Sequence, residues 1–145
     1  MPADILLIIP TDPETVPDDE VVEQATALLH AMLPYAEEIS SASSDTVEFR
    51  DPGANLERII CPNCDADLLG RGDWLTLLGR ARRCGCRDLR VKLPCCESPM
   101  SLNDLWFDSP AGFSCWALEA KNPSGELHSD QLAQLQDVLG CSLKM

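Results

Sequence analysis

The residues of this chain best suited to chemistry are two close pairs of cysteines. Cys61 and Cys64 belong to a Cys-Pro-Asn-Cys segment, and Cys95 and Cys96 belong to a later Leu-Pro-Cys-Cys segment. Thiolate is the ligand that Zn²⁺ favours in closed structural sites, and a two-residue gap lets both sulfurs of a pair reach one centre. The pattern therefore predicts one tetrahedral zinc ion bound by all four thiols.

Two features depart from the usual zinc knuckle. Cys95 and Cys96 are adjacent, so a bent backbone must bring their sulfurs together. Asp65 and Glu97 follow the pairs at positions where zinc knuckles usually have glycine. The alternative is four free thiols, buried or scattered. Zinc is the preferred interpretation because core packing alone seldom produces paired spacing on both sides.

A third pair, Cys84 and Cys86, competes with this assignment. These residues could replace one half of the site or hold a second metal. They could also form a redox pair, because the arginines around them would lower the pKa of their thiols. The simpler alternative is two incidental cysteines at the end of a helix. Cys115 and Cys141 are predicted to be small core residues.

No catalytic constellation is visible in the sequence. The only histidines are His30 and His128, and neither has ligand spacing to the thiol pairs. The chain contains no Gly-rich phosphate loop, Gly-x-Ser-x-Gly or His-Glu-x-x-His motif. A catalytic zinc keeps an open position and usually has histidine or carboxylate ligands. We therefore predict a structural zinc in a non-enzymatic protein with no catalytic residues.

The charge of the chain is strongly acidic and unevenly distributed. The net charge is −13, and residues 1–60 carry 13 acidic but only 2 basic side chains. Nonspecific nucleic-acid binding is not expected, because the phosphate backbone would be repelled. The longest aliphatic run, residues 5–9, is too short to span a bilayer. Without a basic N-terminal region we expect a cytoplasmic protein, whose cysteine pairs more often bind metal than form disulfides.

Hydrophobic periodicity and turn residues predict the order of the elements. Helices are expected from residues 16–20 to Leu33, over 73–83 with Asp73 as N-cap, and from 129 or 130 to 139. A loop is expected around residues 40–44, and turns at 51–53 and 108–112. Strands are expected over residues 5–9, 46–49, 89–93, 106–107, 113–121 and, at the C-terminus, 141–145.

This order predicts an α+β fold in a single domain, residues 1–145. A β-α-β unit near each end could form one four-stranded sheet with two helices on one face, as in ferredoxin-like folds. Residues 58–108 would then be a zinc-ribbon-like insertion between the two halves.

The chain also resembles a family of small uncharacterised bacterial proteins. The resemblance covers nearly the whole length and implies that Cys61, Cys64, Cys95 and Cys96 are the zinc ligands, without Cys84 and Cys86. It implies no activity. The segments that carry it are residues 8–13, 52–55, 61–64, Trp74, 93–96, 101–105, 110–113 and 122–123.

Three classes of function are compatible with these observations. The first is an acidic protein-binding or adaptor protein stabilised by structural zinc. The second is an immunity protein that neutralises a basic toxin or enzyme through complementary charge. The third is a thiol-redox or metal-handling protein that uses Cys84 and Cys86. The expected partner is another protein, and the oligomeric state is open.

Overall fold

The computed structural model describes residues 5–50, 56–86, 88–108 and 111–144. Within these ranges the chain forms three α-helices and eight strands, so the α+β prediction is confirmed. The helices are α1 (Asp19–Met32), α2 (Asp73–Arg83) and α3 (Ser129–Leu139). The strands are β1 (Ile5–Pro10), β2 (Glu38–Arg50), β3 (Ile59–Ile60), β4 (Arg90–Lys92), β5 (Pro99–Ser101), β6 (Trp106–Phe107), β7 (Gly112–Lys121) and β8 (Leu143–Lys144).

The described chain divides into two compact units. Unit 1 comprises Met1–Asp45 and Ser114–Met145, and unit 2 comprises Thr46–Phe113. The segment 58–108, predicted as an insertion, lies within unit 2, while its proposed boundaries stay a prediction. Unit 1 brings together the two ends of the sequence, whereas unit 2 is a single continuous segment that contains both cysteine pairs.

Unit 1 is built on a four-stranded sheet in the order β2-β7-β1-β8, in which β1 is antiparallel to both β7 and β8. The chain order is β-α-β followed by β-α-β, which is a ferredoxin-like arrangement. Helices α1 and α3 pack on the sheet face that carries Ile8 and Leu118. They do so because their apolar residues recur at helical spacing, which gives each helix one buried stripe.

Strand β1 is buried on both faces, as its unbroken aliphatic run predicts. Ile8 faces the helices, while Leu7 and Ile9 form a second cluster with Ala117 on the opposite face. All four side chains are at most 2% exposed.

Several local predictions were wrong. Residues 40–44, predicted as a loop, lie inside β2, which starts at Glu38. This serine-rich stretch forms a strand because β7 lies beside it and can pair with its backbone. The N-cap of α2 is Gly72, at φ +84°, and not Asp73, which is the first helical residue. By contrast, helix α1 begins at Asp19, within the start predicted at residues 16–20. The predicted turn at 51–53 lies outside the described residues, as do positions 109–110 of the turn predicted at 108–112.

Unit 2 has little regular sheet, and its core depends on side chains. Apart from the end of β2 and the start of β7, its sheets within the described residues are two two-stranded ladders, β3-β6 and β4-β5. Phe49, Trp74, Phe107 and Phe113 form an aromatic cluster with ring centroids 5.1–6.2 Å apart. The buried Asn103 side chain accepts from the backbone N–H of Phe113 at 2.8 Å and donates to its carbonyl oxygen at 3.1 Å. An isolated two-stranded ladder is marginally stable in water, so these ladders depend on the side chains packed around them.

Candidate metal centre

The structure brings all four predicted ligands to one point in unit 2. The Sγ atoms of Cys61, Cys64, Cys95 and Cys96 all lie within 4.8 Å of one another. The Sγ of Cys96 is 3.7 Å from that of Cys61 and 3.8 Å from that of Cys95. Four sulfurs bound at about 2.3 Å to a central ion would be about 3.8 Å apart. The cluster therefore has the size and donor set to bind one metal ion.

The first pair lies in a tight turn that we call knuckle 1, residues 61–66. The backbone N–H of Asp65 donates to the carbonyl oxygen of Cys61, and the N–H of Cys61 donates to that of Ala66, both at 2.9 Å. Ile60 and Asp67 form a β-bridge at the base of the turn. The chain therefore reverses direction around Cys61 and Cys64.

The second pair lies in knuckle 2, residues 93–98, which repeats this backbone pattern. The N–H of Glu97 donates to the carbonyl oxygen of Leu93 at 2.8 Å, and the N–H of Leu93 donates to that of Ser98 at 3.0 Å. Lys92 pairs with Pro99 at the base of the turn. Every partner in knuckle 2 is the knuckle 1 partner shifted by 32 residues, the difference between positions 93 and 61.

The repeat extends to the residue that follows each cysteine pair, which is not glycine in either knuckle. Asp65 has φ +64° and Glu97 has φ +60°, so both adopt the left-handed conformation that usually favours glycine. This conformation costs a non-glycine residue roughly 1–2 kcal/mol. Both knuckles therefore adopt the required geometry with strained residues.

The repeat also explains how two adjacent cysteines reach one centre. The first position of the turn is Cys61 in knuckle 1 and Leu93 in knuckle 2, and both side chains are fully buried. Cys95 occupies the third position, where knuckle 1 has Asn63. Knuckle 2 thus keeps the backbone of a zinc knuckle and supplies its second sulfur from position three instead of position one.

Polar neighbours distinguish the two sulfurs of knuckle 2. The Asn63 Nδ2 donates to Cys96 Sγ at 3.3 Å and to Ser98 Oγ at 2.8 Å. Hydrogen bonds from Ser98 and then Asn63 lower the pKa of the Cys96 thiol to about 6. Burial, followed by hydrogen bonding with the neighbouring thiols, raises the pKa of Cys95 to about 12. The pKa values of these two adjacent thiols are therefore shifted in opposite directions.

Cys84 and Cys86 do not join this cluster. The exposed Cys84 donates from Sγ to the carbonyl oxygen of Ala81 at 3.2 Å. The expected lowering of thiol pKa was wrong for Cys86, because burial raises its pKa and outweighs the opposing charge of Arg82. A cleft of about 420 Å³ is lined by the loop that carries Cys86 and by β2 residues 46–49.

The remaining candidates have simple positions. Cys115 is buried in β7, as predicted, and Cys141 is partly buried against the unit 1 core. His30 is exposed on α1. His128 is the N-cap of α3, and its backbone N–H donates to the side chain of Gln131 at 2.9 Å.

Sequence reasoning missed the supporting roles of Asn63 and Ser98. A signal was present, because Pro62 and Pro94 occupy the same position 32 residues apart and mark the two turns as copies. Aligning the copies places Asn63 opposite Cys95. Only the folded chain, however, shows that its amide reaches across to Cys96.

Comparisons with known protein families, with curated proteins and with solved structures find no match for this chain. The resemblance to a bacterial family therefore stays an expectation, and the site must be interpreted from its own geometry. None of the helices formed by the described residues has the length and apolar character needed to cross a membrane.

Proposed function

We propose that Cys61, Cys64, Cys95 and Cys96 bind one structural Zn²⁺ as four thiolates. The observation that carries this proposal is the clustering of the sulfurs: all four lie within 4.8 Å of one another, and the two distances of 3.7 and 3.8 Å from Cys96 match a tetrahedral zinc–thiolate site. Tetrahedral sulfur sites select zinc or iron, and a closed four-thiolate shell leaves no position for a substrate.

The zinc ion acts as a crosslink that stabilises unit 2. It joins turns that are 32 residues apart in the sequence, in a unit whose ladders are only two or three residues long. Binding free energy at such a site is folding free energy, because the ligands are not preassembled in the unfolded chain. This role is also consistent with a reducing cytoplasm, where paired cysteines stay available to metal.

The protein as a whole functions as an acidic protein-binding or adaptor protein. Unit 1 carries 14 acidic and 2 basic side chains, whereas unit 2 carries 10 acidic and 9 basic ones. Charge of one sign on a folded surface attracts partners of the opposite sign and excludes others. The partner is therefore a basic protein that binds unit 1, and a basic toxin or enzyme would make this chain an immunity protein.

A thiol-redox role for Cys84 and Cys86 is the weaker alternative. Cys86 is only 4% exposed and its pKa is raised, which opposes reactivity. No contact observed for either thiol favours that role.

The metal assignment is tested by elemental analysis of the purified protein. We expect one zinc per chain, and after replacement by Co²⁺ a sulfur-to-metal charge-transfer band with the intensity of four thiolates. The Cys84→Ser variant is the matched control and should retain both. One iron per chain would contradict zinc, and fewer than four thiolates would contradict the closed shell.

The partner assignment is tested by capture from a host lysate at low and high salt. Reversing the charge of Asp19, Glu20 and Glu23 on α1 should abolish capture of a basic protein by unit 1, and high salt should weaken capture by the unmodified chain. Reversing Arg80, Arg82 and Arg83 on α2 is the matched control and should preserve capture. Equal capture by the unmodified chain and the α1 variant would contradict binding through the acidic surface.

A further inference from the structure

We infer that Asn63 is the positioning residue of the metal centre, because its side-chain amide links the two knuckles and orients Cys96 toward the metal. The inference rests on the proposed zinc site and assigns a role to a residue that does not itself bind the ion. It accounts for a side chain placed between the ligands of both turns.

The geometry gives Asn63 two partners, both in the opposite knuckle. Its Nδ2 lies 3.3 Å from Cys96 Sγ and 2.8 Å from Ser98 Oγ. Those partners are 33 and 35 residues away in the sequence. An amide NH₂ group has two hydrogens to donate, so both contacts can form at once. The side chain therefore connects the two turns at the position of the metal ligands.

The chemistry of the acceptor explains why an amide suits this place. Four thiolates around one divalent cation leave a net charge of −2, and a thiolate sulfur can only accept hydrogen bonds. An N–H group aimed at Cys96 Sγ disperses that charge and fixes the direction of the sulfur, and losing such an outer contact typically lowers metal affinity by about 10–100-fold. The Asn63 amide thus joins Cys96 and Ser98 in a small polar network.

The repeat shows that position three of a knuckle can serve either purpose. In knuckle 2 this position is Cys95, a ligand, and in knuckle 1 it is Asn63, which contacts a ligand. Both side chains thus point to the same small volume. A third position that directs its side chain elsewhere could not make the 3.3 Å contact with Cys96.

The test compares the unmodified chain with Asn63→Ala, Asn63→Asp and Ser98→Ala, all loaded with Co²⁺. Charge-transfer intensity counts the thiolates, and competition with a chelator measures affinity. We expect Asn63→Ala to keep four thiolates and to lose affinity by about 10–100-fold. Asn63→Asp should lose more, because it keeps the shape but turns an oxygen toward the thiolate. Ser98→Ala should lose less, since one amide contact remains.

The outcomes separate this inference from the proposal beneath it. If Asn63→Ala and Asn63→Asp bind as tightly as the unmodified chain, and that chain shows four thiolates, Asn63 has no positioning role while the zinc site stands. Fewer than four thiolates in the unmodified chain would instead overturn the zinc site. A role in packing alone would make Asn63→Asp equal to the unmodified chain, which also overturns the inference. Should Asn63→Ala not fold, the isosteric Asn63→Asp decides on the same criteria.

Discussion

Knuckles 1 and 2 share one backbone but differ in the positions that supply their sulfurs. Each is closed by the same pair of backbone hydrogen bonds, and in each the residue after the fourth position has a left-handed backbone conformation. Knuckle 1 uses positions one and four, Cys61 and Cys64, whereas knuckle 2 uses positions three and four, Cys95 and Cys96. The difference teaches that the turn defines the site, and that cysteine spacing is only one way to use the turn.

Three positions of such a turn can place a sulfur in the four-cysteine cluster. Positions one and four do so in knuckle 1, and positions three and four do so in knuckle 2. The unused position has another function in each case, since Asn63 contacts a ligand and Leu93 is buried in the core. A search limited to Cys-x-x-Cys would recognise only half of this site.

Removing a ligand should have the largest effect on either knuckle. Sharing a binding free energy of about 10–16 kcal/mol among four thiolates gives about 2.5–4 kcal/mol for each, or a factor of roughly 100–1,000 in affinity. We expect Cys61→Ser and Cys96→Ser to lose metal to this extent and to unfold unit 2 at lower urea. Metal content and urea unfolding measure both effects.

Cys84→Ser is the matched control, because it removes a thiol from the same unit without touching the cluster. It should leave metal content and the unfolding midpoint unchanged. If Cys61→Ser and Cys96→Ser resemble this control, the four sulfurs do not act as one site.

Moving a ligand within knuckle 2 tests whether the two turns are interchangeable. The double variant Leu93→Cys with Cys95→Asn makes the first four residues of knuckle 2 identical to those of knuckle 1. We expect it to bind metal through four thiolates with affinity within about tenfold of the unmodified chain. Cys95→Asn alone should lose a factor of about 100–1,000, as for any ligand. Thiolate counting with Co²⁺ distinguishes the two variants.

The exchange carries a cost in folding. Leu93 is fully buried. Replacing a buried leucine with alanine costs about 2–5 kcal/mol, and the smaller change from leucine to cysteine should cost less. The double variant should therefore be less stable while remaining metal-bound. Affinity as low as that of Cys95→Asn alone would show that position 93 does not face the metal, and the equivalence of the knuckles would fail.

Glycine at the left-handed positions should strengthen both turns. Asp65→Gly and Glu97→Gly remove a strain of roughly 1–2 kcal/mol but add backbone entropy to the unfolded chain. We expect each variant to raise the free energy of unfolding by about 0.5–1 kcal/mol. Glu23→Gly, within α1, is the matched control for loss of a carboxylate and should lower it by about 1 kcal/mol. Lower stability in either knuckle variant would contradict the left-handed backbone there.

Much of unit 1 could be predicted because its signals are local. The unbroken aliphatic run of β1 identifies a strand buried on both faces. The helical spacing of apolar residues in α1 and α3 identifies helices with one buried stripe each. The extent of β2 could not be predicted in this way. Its serines have weak intrinsic preference for a strand, and the adjacent β7 decides their conformation.

The members of the four-cysteine cluster could be predicted from the sequence, but the side chains that contact them could not. Cysteine types and spacing identify Cys61, Cys64, Cys95 and Cys96, because few other roles bring thiols together in pairs. The contact of Asn63 with Cys96 is different, since it joins residues 33 positions apart and depends on how two turns face each other. Asparagine is also common in turns, so its type alone carries no such information.

The smallest expected effect concerns how each turn is held at its base. In knuckle 2 the returning chain is the strand β5, whereas in knuckle 1 it is held by Asp67. Its Oδ1 accepts from the backbone N–H groups of Ile59, Leu69 and Gly70 at 3.0–3.2 Å. These bonds, that of Gly70 foremost, lower the pKa of the Asp67 carboxyl. We expect Asp67→Ala to lower the melting temperature, and Asp67→Asn to lower it less because one acceptor oxygen remains.

The lowered pKa also fixes the pH dependence of this difference. A carboxyl with a lower pKa in the folded state contributes stability above its unfolded pKa, and that contribution is lost as pH falls through the folded value. The folded value lies below 3.8. The melting difference between Asp67→Asn and the unmodified chain should therefore be equal at about pH 6 and about pH 8. Asp65→Asn is the control, because it removes a nearby carboxylate that does not accept these three backbone hydrogen bonds. It should leave the melting temperature unchanged. An equal loss in Asp65→Asn and Asp67→Asn would mean that net charge, and not the three hydrogen bonds, holds the base of knuckle 1.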